Sequence, residues 1–173
     1  MIRTAALSIT AATLAACATA QSTTLPAPAS IAATPEQHTV YISDDAFAVV
    51  EARLRDAIAD RPLTLFTVVD HGEGARSVNM PIGQSKLFLV GNPRIGTAFM
   101  RADPQMGLHL PLKILIHDAP DGTTHLAYSH PGEAAQTHGV SAQLVPQIAR
   151  IHDTMEDLLS EAAGDTVRTI NAR

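Results

Sequence analysis

With 173 residues, 46% of them hydrophobic and 17% charged, the chain is sized for one folded domain plus an appendage and is too apolar for a disordered polymer. A formal net charge of -5 without any Lys/Arg cluster excludes a phosphate-neutralising surface, so no nucleic acid partner is expected. The single cysteine, Cys17, excludes an internal disulfide.

Residues 1–16 read as a signal peptide: Arg3 supplies the positive start, and Ala5 to Ala16 is an uncharged run of small and apolar residues. As a helix this run reaches about 18 Å, short of the roughly 30 Å hydrocarbon core, so it is an address rather than a span. Leu14-Ala15-Ala16-Cys17 resembles the bacterial lipobox. That resemblance implies acylation (diacylglycerol and palmitate) on the Cys17 thiol, cleavage before it, and a membrane lipoprotein. Ala18 follows rather than Asp, which favours the outer membrane, facing the periplasm. The alternative is cleavage after Ala20 in Ala18-Thr19-Ala20, leaving a soluble periplasmic protein. Residues 17–37, rich in Ala, Thr, Ser and Pro, cannot form a core and are expected to be a stalk.

A domain is expected over 38–165, followed by a tail at 166–173. His38 to Ser43 is a β-prone run, and Ser43 with Asp44 and Asp45 reads as an N-cap with acid in the first turn of a helix carrying Phe47, Val50, Leu54 and Ile58. Leu63 to Val69 reads as a strand buried on both faces. Asp70 to Glu73 reads as a capping box, although Gly72 and Gly74 weaken any helix after it. Lys86 to Val90 is a further strand, closed by turn chemistry at Gly91-Asn92-Pro93, with an irregular stretch to Pro111. Leu112 to His117 and Thr124 to Ser129 flank a loop and read as a hairpin, in which symmetric pairing sets Lys113 opposite Tyr128. Leu112, Ile114 and Ile116 then share the greasier face, with Lys113, Leu115 and His117 on the other. A short helix is expected from Pro131 to His138 with Gly139 as its cap, and a long one from about Pro146 to Ala163, stopped by Gly164. This order predicts a single α+β domain, a mostly antiparallel sheet with helices on one face.

Several blocks recur in one order: Val69-Asp70-His71; Lys86 to Pro93, then Gly96-Thr97 and Met100; Gly107 to Lys113; and Tyr128 through Pro131 to His138-Gly139. Over about 66–139 the chain thereby resembles the bacterial and archaeal family known as domain of unknown function 302. The resemblance implies a β-α-β(4)-α architecture like that of the TATA-box-binding protein, and a homodimer. It implies no activity. The chain departs from the family pattern at His109, where an Asp is common, at Gly72 and Gly74, which replace Ala, and at Val90, which replaces an aromatic residue.

Four residues of the matched blocks, His71, Asn92, Lys113 and His138, are candidates for a shared ligand site, because two imidazoles, an amide and an ammonium suit a small anionic ligand. Each also has a structural role open to it: helix cap, turn residue, snorkelling lysine and C-cap neighbour. Among the other histidines, His109, His117, His125, His130 and His152 show no helical i,i+3 or i,i+4 pairing and no His-Glu-x-x-His, so no metal and no cofactor are expected. Gly91 to Thr97 echoes a phosphate loop but lacks its Lys, and no Gly-x-Ser-x-Gly elbow is present. The chain is therefore expected to be a non-enzymatic envelope module that binds a small ligand or a partner. The alternatives are a small hydrolase- or lyase-like enzyme using His71 or His138 with Lys113, and a structural or assembly lipoprotein.

Overall fold

A computed structural model describes residues 38–138, 144–164 and 168–172. The expected leader, Cys17, the stalk and the Gly139 cap lie outside these residues. The described residues fall within one unit, 33–173. They form β1 (His38–Ser43), α1 (Phe47–Ala59), β2 (Thr64–Asp70), α2 (His71–Ser77), β3 (Ser85–Gly91), α3 (Pro93–Ala102), a 3-10 turn (Pro104–Leu108), β4 (Leu112–Asp118), β5 (Thr124–Tyr128), α4 (Pro131–Thr137), α5 (Val145–Ala163) and β6 (Arg168–Ala172). The strands make one sheet in the order β2-β3-β4-β5-β1-β6, with every neighbouring pair antiparallel.

β4 positions everything else. Its alternation sends Leu112, Ile114 and Ile116 to a buried face, level with Phe88 and Val90 of β3 and Leu126 and Tyr128 of β5. α1 and α5 cover that face with Val50, Leu54, Ile58, Met155, Leu158 and Leu159, closing the core. Each such side chain contributes about 1.5–3 kcal/mol through burial. This is the α+β sheet with helices on one face that the hydrophobic patterning predicts.

Five local expectations change. Ser43 does not cap α1, whose N-cap is Ala46 without a side-chain bond. Ser43 is fully buried instead and donates its hydroxyl to the Ala163 carbonyl at 2.6 Å, while its cross-strand neighbour Thr124 donates to the Asp45 carbonyl at 2.9 Å. These two hydroxyls satisfy carbonyls where α5 ends and α1 begins, tying both helices to one end of the sheet. β2 is an edge strand rather than one buried on both faces: a bulge between Leu65 and Thr67 interrupts its pairing, and Phe66 and Val69 stay 51% and 41% exposed. The hairpin register is one residue away from symmetric pairing, with Ile114 opposite Tyr128 and Asp118 opposite Thr124. Asp121 accepts from both the Thr123 amide and hydroxyl, and Gly122 takes a φ of +84°, so the loop closes across Ala119 and Thr123. The slip sends Tyr128 into the core and leaves Lys113 without that partner, as expected when a period-two strand shifts by one. The stretch after Gly91 is helical, not irregular. Residues 168–172, counted with the tail, pair with β1 as a sixth strand.

α2 forms despite its glycines because Asp70 caps it, accepting from the Glu73 amide at 2.7 Å. The two glycines differ in role. A Cβ on Gly72 would lie 2.7 Å from the Gly83 carbonyl oxygen, whereas one on Gly74 would meet nothing within 4 Å. Thermal unfolding should separate them: Gly72→Ala is expected to lose about 1–3 kcal/mol by overpacking, and Gly74→Ala to gain up to about 1 kcal/mol through helix propensity. Equal shifts for the two would refute the packing role of Gly72.

Candidate functional site

Asn92 follows β3 and opens α3. Its Oδ1 accepts from the amides of Arg94 at 2.9 Å and Ile95 at 3.4 Å, Pro93 takes the first helical position, and its Nδ2 donates to the Pro62 carbonyl at 2.9 Å. The amide thus starts α3 and pins it to the connection between α1 and β2. Gly91-Asn92-Pro93 is a strand-to-helix junction, not a turn.

α3 in turn forms one wall of a groove of about 910 Å³, within the range of small-molecule sites. The opposite wall is one stripe of α5, comprising Gln147, Arg150, Ile151, Thr154 and Met155, and the floor is Phe66, Gly91 and Leu110 to Leu112. The walls are mostly aliphatic or aromatic, with Ile95, Phe99 and Met100 contributed by α3. Arg61, Arg94, Arg150 and Asp157 supply the charges along it. Arg61 is already engaged, with Glu161 at 2.7 Å and with the Ala57 carbonyl.

The four residues expected to share a site do not converge. Asn92 lines the groove, but His71, Lys113 and His138 do not. His71 begins α2, exposed, next to Asp70, which pairs with Lys86 at the start of β3; Asn92 follows Gly91 at its end. Five strand residues separate those levels by about 17 Å. Lys113 lies on the face away from the core, half-buried, opposite Leu89. His138 ends α4 and belongs to a separate cluster: its Nδ1 lies 3.0 Å from Asp103 Oδ2, and its Nε2 lies 3.1 Å from His109 Nε2. Asp103 meanwhile caps the 3-10 turn by accepting from the Gln105 amide. The cluster joins the end of α4 to the segment after α3, and it is more structural brace than pocket.

The fold also pairs other histidines that sequence spacing keeps apart. His117 and His125 sit across β4 and β5 with ring centroids 5.2 Å apart, and His130 and His152 lie 4.5 Å apart. His152 Nδ1 is hydrogen-bonded to the Tyr128 hydroxyl, and its Nε2 lies 3.5 Å from Glu156. Burial, with help from Glu156, Tyr41 and Asp153, pushes the Tyr128 hydroxyl well above its ordinary value. Burial followed by Glu156 and Asp157 pushes Tyr41 up to about 12, so both phenols stay neutral at physiological pH. Among the described residues no group of three or more His, Cys, Asp or Glu side chains is arranged to hold a metal.

The model of the domain of unknown function DUF302 matches residues 38–162. The chain belongs to the DUF302 family. Its fold is similar to that of an uncharacterised conserved DUF302 protein from Bacillus stearothermophilus, with a TM-score of 0.57 at 16% identity, covering 75% of this chain and 96% of that one. The DUF302 chain is also 30% identical over 103 residues to the fluoride-specific ion channel FluC 1 of Brucella suis biovar 1 (strain 1330), covering 60% of this chain and 41% of that protein. FluC 1 of Brucella abortus biovar 1 (strain 9-941) matches at the same identity, with 38% of its length covered. The chain thus spans about two fifths of these relatives.

Sequence reading missed the groove because it missed α3. The available signal was Asn92 before Pro93, an N-cap with Pro at the first helical position, followed by Ile95, Ala98, Phe99 and Ala102 at helical spacing. The cap role of Asn92 has a direct test: Asn92→Ala should cost about 1 kcal/mol, and Asn92→Asp, which keeps the acceptor and loses the bond to Pro62, should fall between. Urea unfolding that leaves Asn92→Ala unchanged would remove the cap from this account.

Proposed function

We propose that this DUF302 chain is a non-enzymatic binding module of the bacterial envelope that takes a small, largely apolar ligand in the groove between α3 and α5. The groove carries this reading. It combines a size suited to a small molecule, continuous apolar walls and a few polar groups from Asn92, Gln147 and Thr154, the composition typical of small-molecule sites. The enzyme alternative calls on His71 or His138 together with Lys113, and neither histidine nor Lys113 lines the groove. The name of the Brucella relatives describes a fluoride channel. The 30% identity over 103 aligned residues supports kinship of this domain with part of those proteins.

A neutral solvatochromic dye, Nile red, tests the site. It should bind the chain with a blue-shifted emission, and Ala98→Trp, which fills a half-buried position in the α3 wall, should abolish the signal while circular dichroism stays unchanged. Undiminished binding by the Trp variant would overturn the assignment of the groove.

Envelope anchoring through Cys17 is part of the same proposal, supported by the lipobox-like Leu14-Ala15-Ala16-Cys17 and the Pro-rich segment after it. Two or three acyl chains hold a protein on a bilayer where one does not. Cys17→Ser should move the protein from the membrane to the soluble fraction of the expressing cell, and unaltered membrane association would refute the anchor.

A further inference from the structure

We infer that the groove is built for an amphipathic anion: a single-chain acyl carboxylate, with its hydrocarbon tail along the apolar walls and its head between Arg94 and Arg150. The inference rests on the groove being the binding site, and it adds the chemistry of the ligand.

Two observations point the same way. The first is the wall: Phe66, Ile95, Phe99, Leu110, Ile151 and Met155 present aliphatic and aromatic surface along the length of the groove, which suits an extended hydrocarbon better than a polar metabolite.

The second is charge. The protein carries a net charge of -5, yet three arginines and one aspartate line the groove. Arg61 is neutralised by Glu161. Arg94 and Arg150 are exposed and make no ion pair with any described residue. Arg94 also sits in the first turn of α3, where the helix dipole is already positive, so it weakens the helix it belongs to. A cation in that place is favourable when an anion sits beside it, and guanidinium is the side chain that grips a carboxylate with two parallel bonds.

The test is displacement of Nile red from the chain carrying Cys17→Ser, so that no acyl anchor of its own competes. Hexadecanoate and hexadecanol are compared below their aggregation concentrations, with octanoate as the short-chain control and a single-chain lysophosphatidate as the phosphate-headed one. Hexadecanoate is expected to displace the dye at a concentration at least about tenfold lower than hexadecanol, the discrimination of a charge-assisted contact. Octanoate should compete weakly. The double variant Arg94→Gln with Arg150→Gln should lose the preference for hexadecanoate over hexadecanol when both are referred to that variant's own affinity for Nile red, and 0.5 M salt should shrink that preference in the unaltered groove, on the order of a screened surface contact. Equal competition by acid and alcohol, or a preference that survives the double variant, overturns the anionic ligand while leaving the groove as a binding site. Stronger competition by lysophosphatidate than by hexadecanoate overturns the carboxylate head in favour of a phosphate. Failure of the dye to bind at all removes both this inference and the function on which it rests.

Discussion

The alternation of β4 is the constraint from which the rest of the molecule follows. A strand whose Leu112, Ile114 and Ile116 face one way must have that face covered, and α1 and α5 are the two elements with enough apolar stripe to do so. Once they are docked, the chain between β1 and β2 has to run the length of the sheet, which fixes the polarity of α1. The chain after β5 has to return along it, which fixes α5 antiparallel to that course. Ser43 and Thr124 then hold the start of α1 and the end of α5 at the same end of the sheet through buried hydroxyl-to-carbonyl bonds.

That geometry divides α5 between two tasks. Its C-terminal half, with Leu158, Leu159 and Ala162, is fully buried against the sheet and α1. Its N-terminal half lines the groove with Gln147, Arg150 and Ile151, the last also packing against the core. Met155 stands at the junction, buried in the core and bordering the groove. The groove thus lies between this half of α5 and α3, which the Asn92 cap and its bond to Pro62 hold in place as the far wall.

Much of this was legible in the sequence, and what was missed has physical causes. The core strands, α1, α5 and the stop at Gly164 follow from local periodicity, and Gly164 does take a φ of +84°. The edge position of β2 could not be read, because a continuous apolar run looks the same whether a second layer covers it or not. The hairpin register depended on how Asp121 and Thr123 close the loop, a side-chain detail that moves the pairing by a single residue. The candidate site was the least legible part. His71, Asn92, Lys113 and His138 share sequence blocks with the family, yet those blocks sit at different ends and faces of the sheet, and at Asn92 the fold itself demands the side chain.

The two ends of the sheet also differ in how their polar groups are spent. At the end where α2 begins, Ser43, Thr124 and Asp118 each hold a partner, Asp118 accepting from the Gln84 amide at 3.1 Å, and Gly72 leaves no room beside Gly83. Such an end is a closed structural joint. At the other end the Arg94 and Arg150 side chains make no ion pair with any described residue, while apolar walls stand open beside them. Charge without an intramolecular partner beside uncovered apolar surface marks a place that something external can complete. The ligand proposed for the groove, with one charged end and one greasy end, would complete both at once, which the histidine clusters braced within the fold would not.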